Sequence, residues 1–507
     1  MMCRKARIQI TRPTTPPIAA RESELFRFRK IVDVTLNESR FTWSSKISEN
    51  VFYQLVNGGL GGMVSVLHTA LTSRYLGVSQ FGAFSLVLAH VLLFYGFTSW
   101  GADVIAVRRM AQEPERQTEW LSSLVTLRMI FALISYVACI GALWVVRYDL
   151  AVVHAIAIYS FIILFAPFES FIVVYQVNLR TGAAVLTTLG VQIGMFLSTL
   201  LAMHLKAGFQ VLIWIAAIST VLRLVGLCVY LRDHLTVKAE WCREKWSLLL
   251  QGGVPLALAS LCTSMVGRFS LFLLSQTHSM QSVGEFAAPY RLIFFLMFIP
   301  ESVMVPIYPL FCRSLETDRA TVLRLFQKVT NLLTLISMPL CILGMFLSEF
   351  IMMHFFGPDF VVSTKTFQFL LLDLMCVCMI LPSGSMMIAA GKERVSLAFN
   401  VGASIVSYGV IFLLVPRLGS IGAALALCVM HMLLMISSWA YLLRLKIVCD
   451  WRTLRAGLYS ALSMVGVIFL LGSSLRMPAL FAGVGTYVLV LGWFLGWFRT
   501  PVELEIV

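Results

Sequence analysis

Two arginines stand inside apolar stretches of this sequence, Arg268 in "SMVGRFSLFLLS" and Arg291 in "APYRLIFFLMF". A guanidinium keeps its charge at any physiological pH, and its planar fork of donors matches the oxygens of a phosphate or diphosphate. An unpaired cation among apolar residues is costly, so each arginine raises the question of which anion it meets. Glu301 in "FIPESVMVPIYP", Asp103 in "GADVIAVRR" and Asp373 in "FQFLLLDLMCVCMI" are the acidic counterparts. Carboxylates in such places can take up a coupling proton or Na⁺, or gate a movement. Each group also has a plainer reading. Arg268 lies near the end of its apolar run and can snorkel to the headgroups. Asp103 precedes Arg108 and Arg109, which predicts a local salt bridge. Asp373 serves equally well as a hydrogen bond between helices. Glu301 has no base within a helical turn, which leaves its functional reading without a local competitor. Arg128 and Glu169 fall near predicted span ends, where they meet headgroups or each other. Tyr53, Gln54 and Asn57 form a polar face early in the first apolar run, where a polar head group can enter or a neighbouring helix can pack.

The elements that hold these groups are set by composition. Of 507 residues, 59% are hydrophobic and 13% charged, and the mean hydropathy is +0.87, against about 25% charged in soluble domains. Apolar runs recur from Val51 to Trp497, and about 20 such residues cross a bilayer core roughly 30 Å thick. The alternation of a transmembrane β-strand is absent, so the fold class expected is all-α integral membrane. The formal charge of +14 does not point to nucleic acid, because no stretch outside the apolar runs is large enough to form a basic reading face. Eleven cysteines without a CxxC pair and eight scattered histidines predict no disulfide framework, metal site or other cofactor.

Polar, glycine and proline punctuation predicts about fourteen spans, near 49–71, 80–106, 121–146, 151–175, 183–204, 209–231, 249–275, 282–311, 327–348, 361–387, 393–415, 420–443, 453–472 and 477–498. Lys and Arg concentrate in alternate loops (Arg108, Arg109, Arg116, Lys238, Arg243 and Lys245 among them), whereas the intervening loops carry few, such as Arg74, Lys206 and Arg417. That asymmetry predicts both termini in the cytoplasm. The segment 1–48, polar and basic around "RPTTPP", reads as a cytoplasmic tail without the apolar core of a signal peptide, although residues 23–36 can form a short interfacial helix.

The chain also repeats itself. "LGVSQFGAFSLVLA" (76–89) aligns with "HSMQSVGEFAAPYRL" (278–292), matching Gly82 to Gly284, and Gly182 and Gly208 match Gly391 and Gly419. An even number of spans per repeat relates the two copies by an axis along the membrane normal, a transporter design with the substrate between two rocking halves. The organisation expected is 49–232 and 249–446 as six-helix bundles, 233–248 as a cytoplasmic linker, and 447–507 as two extra helices with a short tail. On this register Arg268 and Arg291 lie at similar depth on adjacent helices. Pro300, Pro306 and Pro309 predict a broken helix beyond Arg291.

At "TSRYLGVSQFGAFSLVLA", "VRRMAQEPERQTEW" and "LLLQGGVPLALASLCTSMVGRFSLFLLS" followed by "GEFAAPYRLIFFLMFIPESVMVPIYPLF", the sequence resembles the polysaccharide-transport flippases of the multidrug/oligosaccharidyl-lipid/polysaccharide exporter superfamily. The resemblance covers about residues 49–450. It implies two six-helix bundles around a central cavity, and passage of undecaprenyl-diphosphate-linked oligosaccharide from the inner to the outer leaflet of the cell (inner) membrane. Family members often carry an acid soon after the seventh-span arginine, where this chain has Ser270, so the resemblance supplies no partner for Arg268. The expected partners are a polyprenyl-diphosphate-linked glycan and the bilayer, with a glycan polymerase or glycosyltransferases as neighbours, no nucleic acid, and a monomeric state. A multidrug cation antiporter of the same superfamily would need an acidic, aromatic cavity instead. A membrane polymerase or ligase would need a long outer loop with a nucleophile and base, which no loop here supplies, so a non-enzymatic role is expected.

Overall fold

The computed structural model describes residues 52–146, 148–178, 181–231, 242–317, 319–445, 451–472 and 476–495. The proposed tail, most of the proposed linker and the last residues of the chain lie outside these. Among the described residues there is no strand; ten segments are long and apolar enough to cross a membrane. The first of them, Phe52–Thr98, counts 47 residues. As a straight helix it would be about 70 Å long, more than twice the bilayer core. It contains α1 (Gly62–Tyr95), in which Gly77 adopts φ 69° and ψ 172° and folds the segment into a hairpin of two spans. A π-helical turn, Asn57–Gly61, precedes α1.

The second span continues through a 3₁₀ turn, Gly96–Thr98, into α2 (Ala102–Gln112). Then follow α3 (Gln117–Val145), α4 (Leu150–Ser160), a 3₁₀ stretch Ala166–Ser170, α5 (Phe171–Val177), α6 (Thr181–His204) and α7 (Phe209–Leu231). The second half comprises α8 (Arg243–Thr277), α9 (Met280–Leu296), α10 (Phe298–Thr317), α11 (Arg319–Phe346), α12 (Thr364–Ala389), α13 (Glu393–Leu418) and α14 (Ser420–Arg444). Two more helices, α15 (Trp451–Gly472) and α16 (Arg476–Leu495), pack on each other and on α11, where the Tyr487 hydroxyl donates to the carbonyl of Leu335.

The repeat is visible in how the halves meet. The turn at Gly96 and the bend at Met297 occupy matching places in the two copies. The bend has a local cause: Pro300 has no N–H for the carbonyl of Leu296, four residues back, so the ladder breaks there. The break expected from the proline cluster therefore falls at its first member, and the α10 backbone stays helical through Pro306 and Pro309, which corrects the expectation that all three interrupt it. At the Gly77 end, α1 and α9 cross so closely that a Cβ on Gly82 would lie 2.0 Å from the carbonyl oxygen of Met280, while one on Gly284 would lie 2.1 Å from that of Val78. This reciprocal contact of aligned positions is what a two-fold relation predicts.

The same end is tied by Arg74, which donates to the carbonyls of His354 and Phe355, and by the edge-to-face pair Phe81 and Phe360. The opposite end is also joined. Gly253 rests on the backbone of Gly101, Lys245 meets Glu119 at 2.9 Å, and the Trp246 indole donates to the Ser123 carbonyl. Phe295 and Phe298 of the second half lie on Gly62 and Gly58 of the first. The two halves thus touch at both ends, with Arg291 between.

Because the Gly82 and Gly284 crossing is backbone on backbone, a methyl group there cannot be absorbed by a rotamer change. Gly284→Ala is expected to disfavour this arrangement by about 1–3 kcal/mol, a shift of roughly 5- to 150-fold in the closed-to-open ratio at the Gly77 end. Alkylation of a cysteine introduced at Ser65 by an impermeant reagent checks it, with faster labelling expected in the Gly284→Ala background.

Candidate functional site

Arg291 projects from α9 toward the first half. Its guanidinium carbon lies 6.0 Å from the centroid of the Phe84 ring, over the ring face. Ser65, Val66 and Thr69 of α1, with Leu292 and Phe356, line a space of about 10 Å³ beside it, room for about one water. His68 and Tyr159 are within electrostatic reach of the charge. His68 is itself held by Thr199, Nε2 to Oγ1 at 3.0 Å, and Thr69 donates to the carbonyl of Ser65 at 2.8 Å. Among the described residues no carboxylate pairs with Arg291. The ring contact returns about 2 kcal/mol or more when desolvated, and taking a cation out of water costs several. The arginine is thus left short of negative charge.

Arg268 lies elsewhere. Its Nη1 donates to the carbonyl of Leu92 at 3.3 Å, and the side chain forms part of the wall of an apolar cavity of about 290 Å³ between His90, Phe94, Val145, Phe269 and Phe272. Phe84 and Leu92 are eight residues apart on one helix, so the two arginines are offset by about 12 Å along it. They do not share a cavity in this conformation, which corrects the expectation of similar depth. Arg268 faces the groove between α1, α3 and α8, whereas Arg291 faces the first-span side of α1. Ser270, where the family resemblance would place an acid, is buried and donates to the carbonyl of Val266.

The candidate acids of the first half are engaged. Asp103 pairs with Arg128 at 3.1 Å, Glu169 bridges Arg128 at 3.9 Å and Arg223 at 3.5 Å, and the Tyr95 hydroxyl donates to Glu169 at 2.8 Å. Arg128 also donates to Ser170 at 3.4 Å and is only 4% exposed. Two guanidiniums and two carboxylates balance, and they join α2, α3, α7 and the 3₁₀ stretch at 166–170. The expected local bridge of Asp103 to Arg108 or Arg109 does not form; Arg109 pairs with Glu113. Gly101 caps α2 in the left-handed region, and Asp103 in the helix's first turn reaches α3 instead.

Of the other candidates, Glu301 is exposed and makes no ion pair among the described residues. Asp373 is 1% exposed and bonded to His431. Tyr53 packs on Gly182, Gln54 is exposed, and Asn57 opens the π-helical turn whose Gly61 carbonyl accepts from Gln192 at 2.7 Å. Asn57 is eight residues from Ser65, about 12 Å along a helix, so this polar face is not joined to the Arg291 site. Polar groups beside Arg291 were readable: Ser65, His68 and Thr69 belong to a stripe that continues through Thr72 and Ser73 at i, i+3, i+4, i+7 and i+8 along the first span.

The described residues form an all-helical pair of repeats with half-buried arginines between them. This fold is similar to the solved lipid II flippase MurJ in an inward closed conformation, with a TM-score of 0.73 at 14% identity over 88% of this chain and 98% of that one. A multidrug resistance MATE family transporter of the MOP superfamily, inward-facing, gives 0.54 at 16% identity over 78% and 94%. A MOP superfamily transporter from Pyrococcus furiosus, described as having a binding pocket of reverse polarity, gives 0.57 at 15% over 79% and 95%. No curated protein matches the sequence. The polysaccharide biosynthesis protein family model matches residues 47–315, more than half of the chain, and the chain belongs to that family.

Proposed function

We propose that this protein is a flippase that carries a polyprenyl-diphosphate-linked oligosaccharide from the cytoplasmic to the outer leaflet of the cell (inner) membrane, with both termini in the cytoplasm. The observation that carries the reading is Arg291, a half-buried cation with hydroxyls and an aromatic face around it and no described carboxylate in partnership. Asp103, Glu169 and Asp373 are all bonded to bases, so they neutralise their own surroundings and leave the arginines for the cargo. Around Arg291 a cationic drug finds no carboxylate among the described residues, which disfavours the multidrug antiporter.

The space beside Arg291 holds about one water, so a diphosphate enters only when the halves separate. The family match to polysaccharide biosynthesis and the likeness to a lipid II flippase support a lipid-linked glycan as cargo. The apolar cavity beside Arg268 suits a part of that carrier that bears no charge. Exporting an anion from a negative cytoplasm is favoured by about 2.3 kcal/mol per elementary charge per 100 mV. Glycosyltransferases and a glycan polymerase are the partners that would make the substrate and consume the product. The test is reconstitution in liposomes with a fluorescent prenyl-diphosphate-linked sugar. Protein-dependent loss of the inner-leaflet signal supports the reading, and transfer of cationic dyes with no movement of the lipid refutes it.

A further inference from the structure

We propose that Asp373 and His431 form a proton-binding pair inside the second half that couples transport to a proton gradient. Asp373 on α12 and His431 on α14 meet at 2.6 Å, Oδ1 to Nδ1, with the carboxylate 1% and the imidazole 18% exposed. At this distance one proton is shared between them, assigned to Nδ1 because the carboxylate accepts it. The other ring nitrogen, Nε2, makes no hydrogen bond among the described residues and lies on the more exposed partner. It is the atom that takes a further proton.

With Nε2 free the pair carries one negative charge in a helix-packed interior; with Nε2 protonated it is a neutral ion pair. Binding of a proton there changes the local field by a full unit. A hard cation such as Na⁺ wants a shell of oxygen ligands, and here an imidazole nitrogen already occupies the carboxylate oxygen at hydrogen-bond distance. The geometry suits a proton.

The neighbours of the pair are few in charge. Cys376 shares α12 and Cys428 shares α14, with its thiol directed to the Phe369 carbonyl. From α11 comes Cys341, bonded to the Leu371 carbonyl. The α10 helix presents Ile299 and Pro300 to Leu374 and Cys378, and Glu301 beside them is exposed.

Tyr290 of α9 stands beside both arginines. A Cβ on Gly267 would meet its hydroxyl at 2.5 Å, so the ring tip lies against α8 one residue from Arg268. Tyr290 immediately precedes Arg291.

The proposal rests on the flippase reading for its cargo alone, and two measurements keep the failures apart. Infrared difference titration of the purified protein between about pH 5 and 9 is expected to show one imidazole protonation that His431→Gln removes and Asp373→Asn removes or displaces. Liposomes loaded with the fluorescent prenyl-diphosphate-linked sugar are then placed under a pH gradient. With one proton exchanged per cycle, each pH unit should change the steady-state leaflet ratio about tenfold, and in both variants the ratio should not respond while downhill flux continues. Arg291→Ala is expected to lose flux and keep the infrared titration. Absence of the imidazole band, a full pH response in His431→Gln, or a response to a Na⁺ gradient in place of a proton gradient would overturn the pair. If the probe is not moved at all, the cargo reading fails, and the infrared result alone decides the proton site.

Discussion

Arg291→Ala is expected to lower flux of a prenyl-diphosphate-linked sugar by at least about 10²-fold. A bidentate guanidinium gives a phosphate two charge-assisted hydrogen bonds, each contributing about 1.5–3 kcal/mol. Losing both at a site that holds the cargo only in passing therefore removes about 3 kcal/mol or more of binding in the loaded state. Arg291→Lys keeps the charge but not the fork, and an intermediate flux is expected. Arg291→Ala should be neutral or favourable for stability, because it removes a half-buried cation that no described carboxylate compensates. Loss of flux with an unchanged or raised unfolding temperature separates a cargo site from a structural one. Initial rates in reconstituted liposomes and thermal scanning of the same preparation check both arms.

Arg128 should behave in the opposite way. It is 4% exposed and bonded to Asp103, Glu169 and Ser170. Arg128→Met leaves Asp103 without its cation, and breaking a buried pair on one side costs about 3–5 kcal/mol. Glu169 retains Arg223, so the stranded charge is chiefly that of Asp103. The double variant Arg128→Met with Asp103→Asn should recover much of the loss, since removing both partners leaves no orphaned charge. Detergent-resistant unfolding temperatures of the three variants test this. Equal destabilisation by the single and the double change would show that Arg128 acts by packing.

Much of the architecture was legible because lipid imposes it. Any segment that crosses must satisfy its own backbone and present apolar side chains, so the spans, the duplication and the aligned Gly82 and Gly284 stand out in the letters alone. The site was legible only in part. The isolated arginines could be named, since a charge in an apolar run is conspicuous, but their relative placement depends on helix rotation and on which face of α1 each one meets, neither of which hydropathy encodes. The salt bridge predicted for Asp103 followed sequence proximity. The observed one crosses from α2 to α3, because Gly101 reorients the chain immediately before it. His431, the partner of Asp373, lies 58 residues away and carries no spacing signal. The stripe from Ser65 to Ser73 was readable from its helical period, but small hydroxyl residues are common in membrane helices and bond back to their own backbone, as Thr69 and Ser73 do here.

The central claim is that the interior between the halves is built for a phosphorylated lipid. Native mass spectrometry of the purified protein with equimolar prenyl-diphosphate-linked sugar, the corresponding uncharged prenyl alcohol and a cationic dye tests it in one spectrum. The account predicts an adduct of the diphosphate alone, lost in Arg291→Ala and displaced by inorganic pyrophosphate. A dye adduct that survives that substitution, with no diphosphate bound, would contradict it.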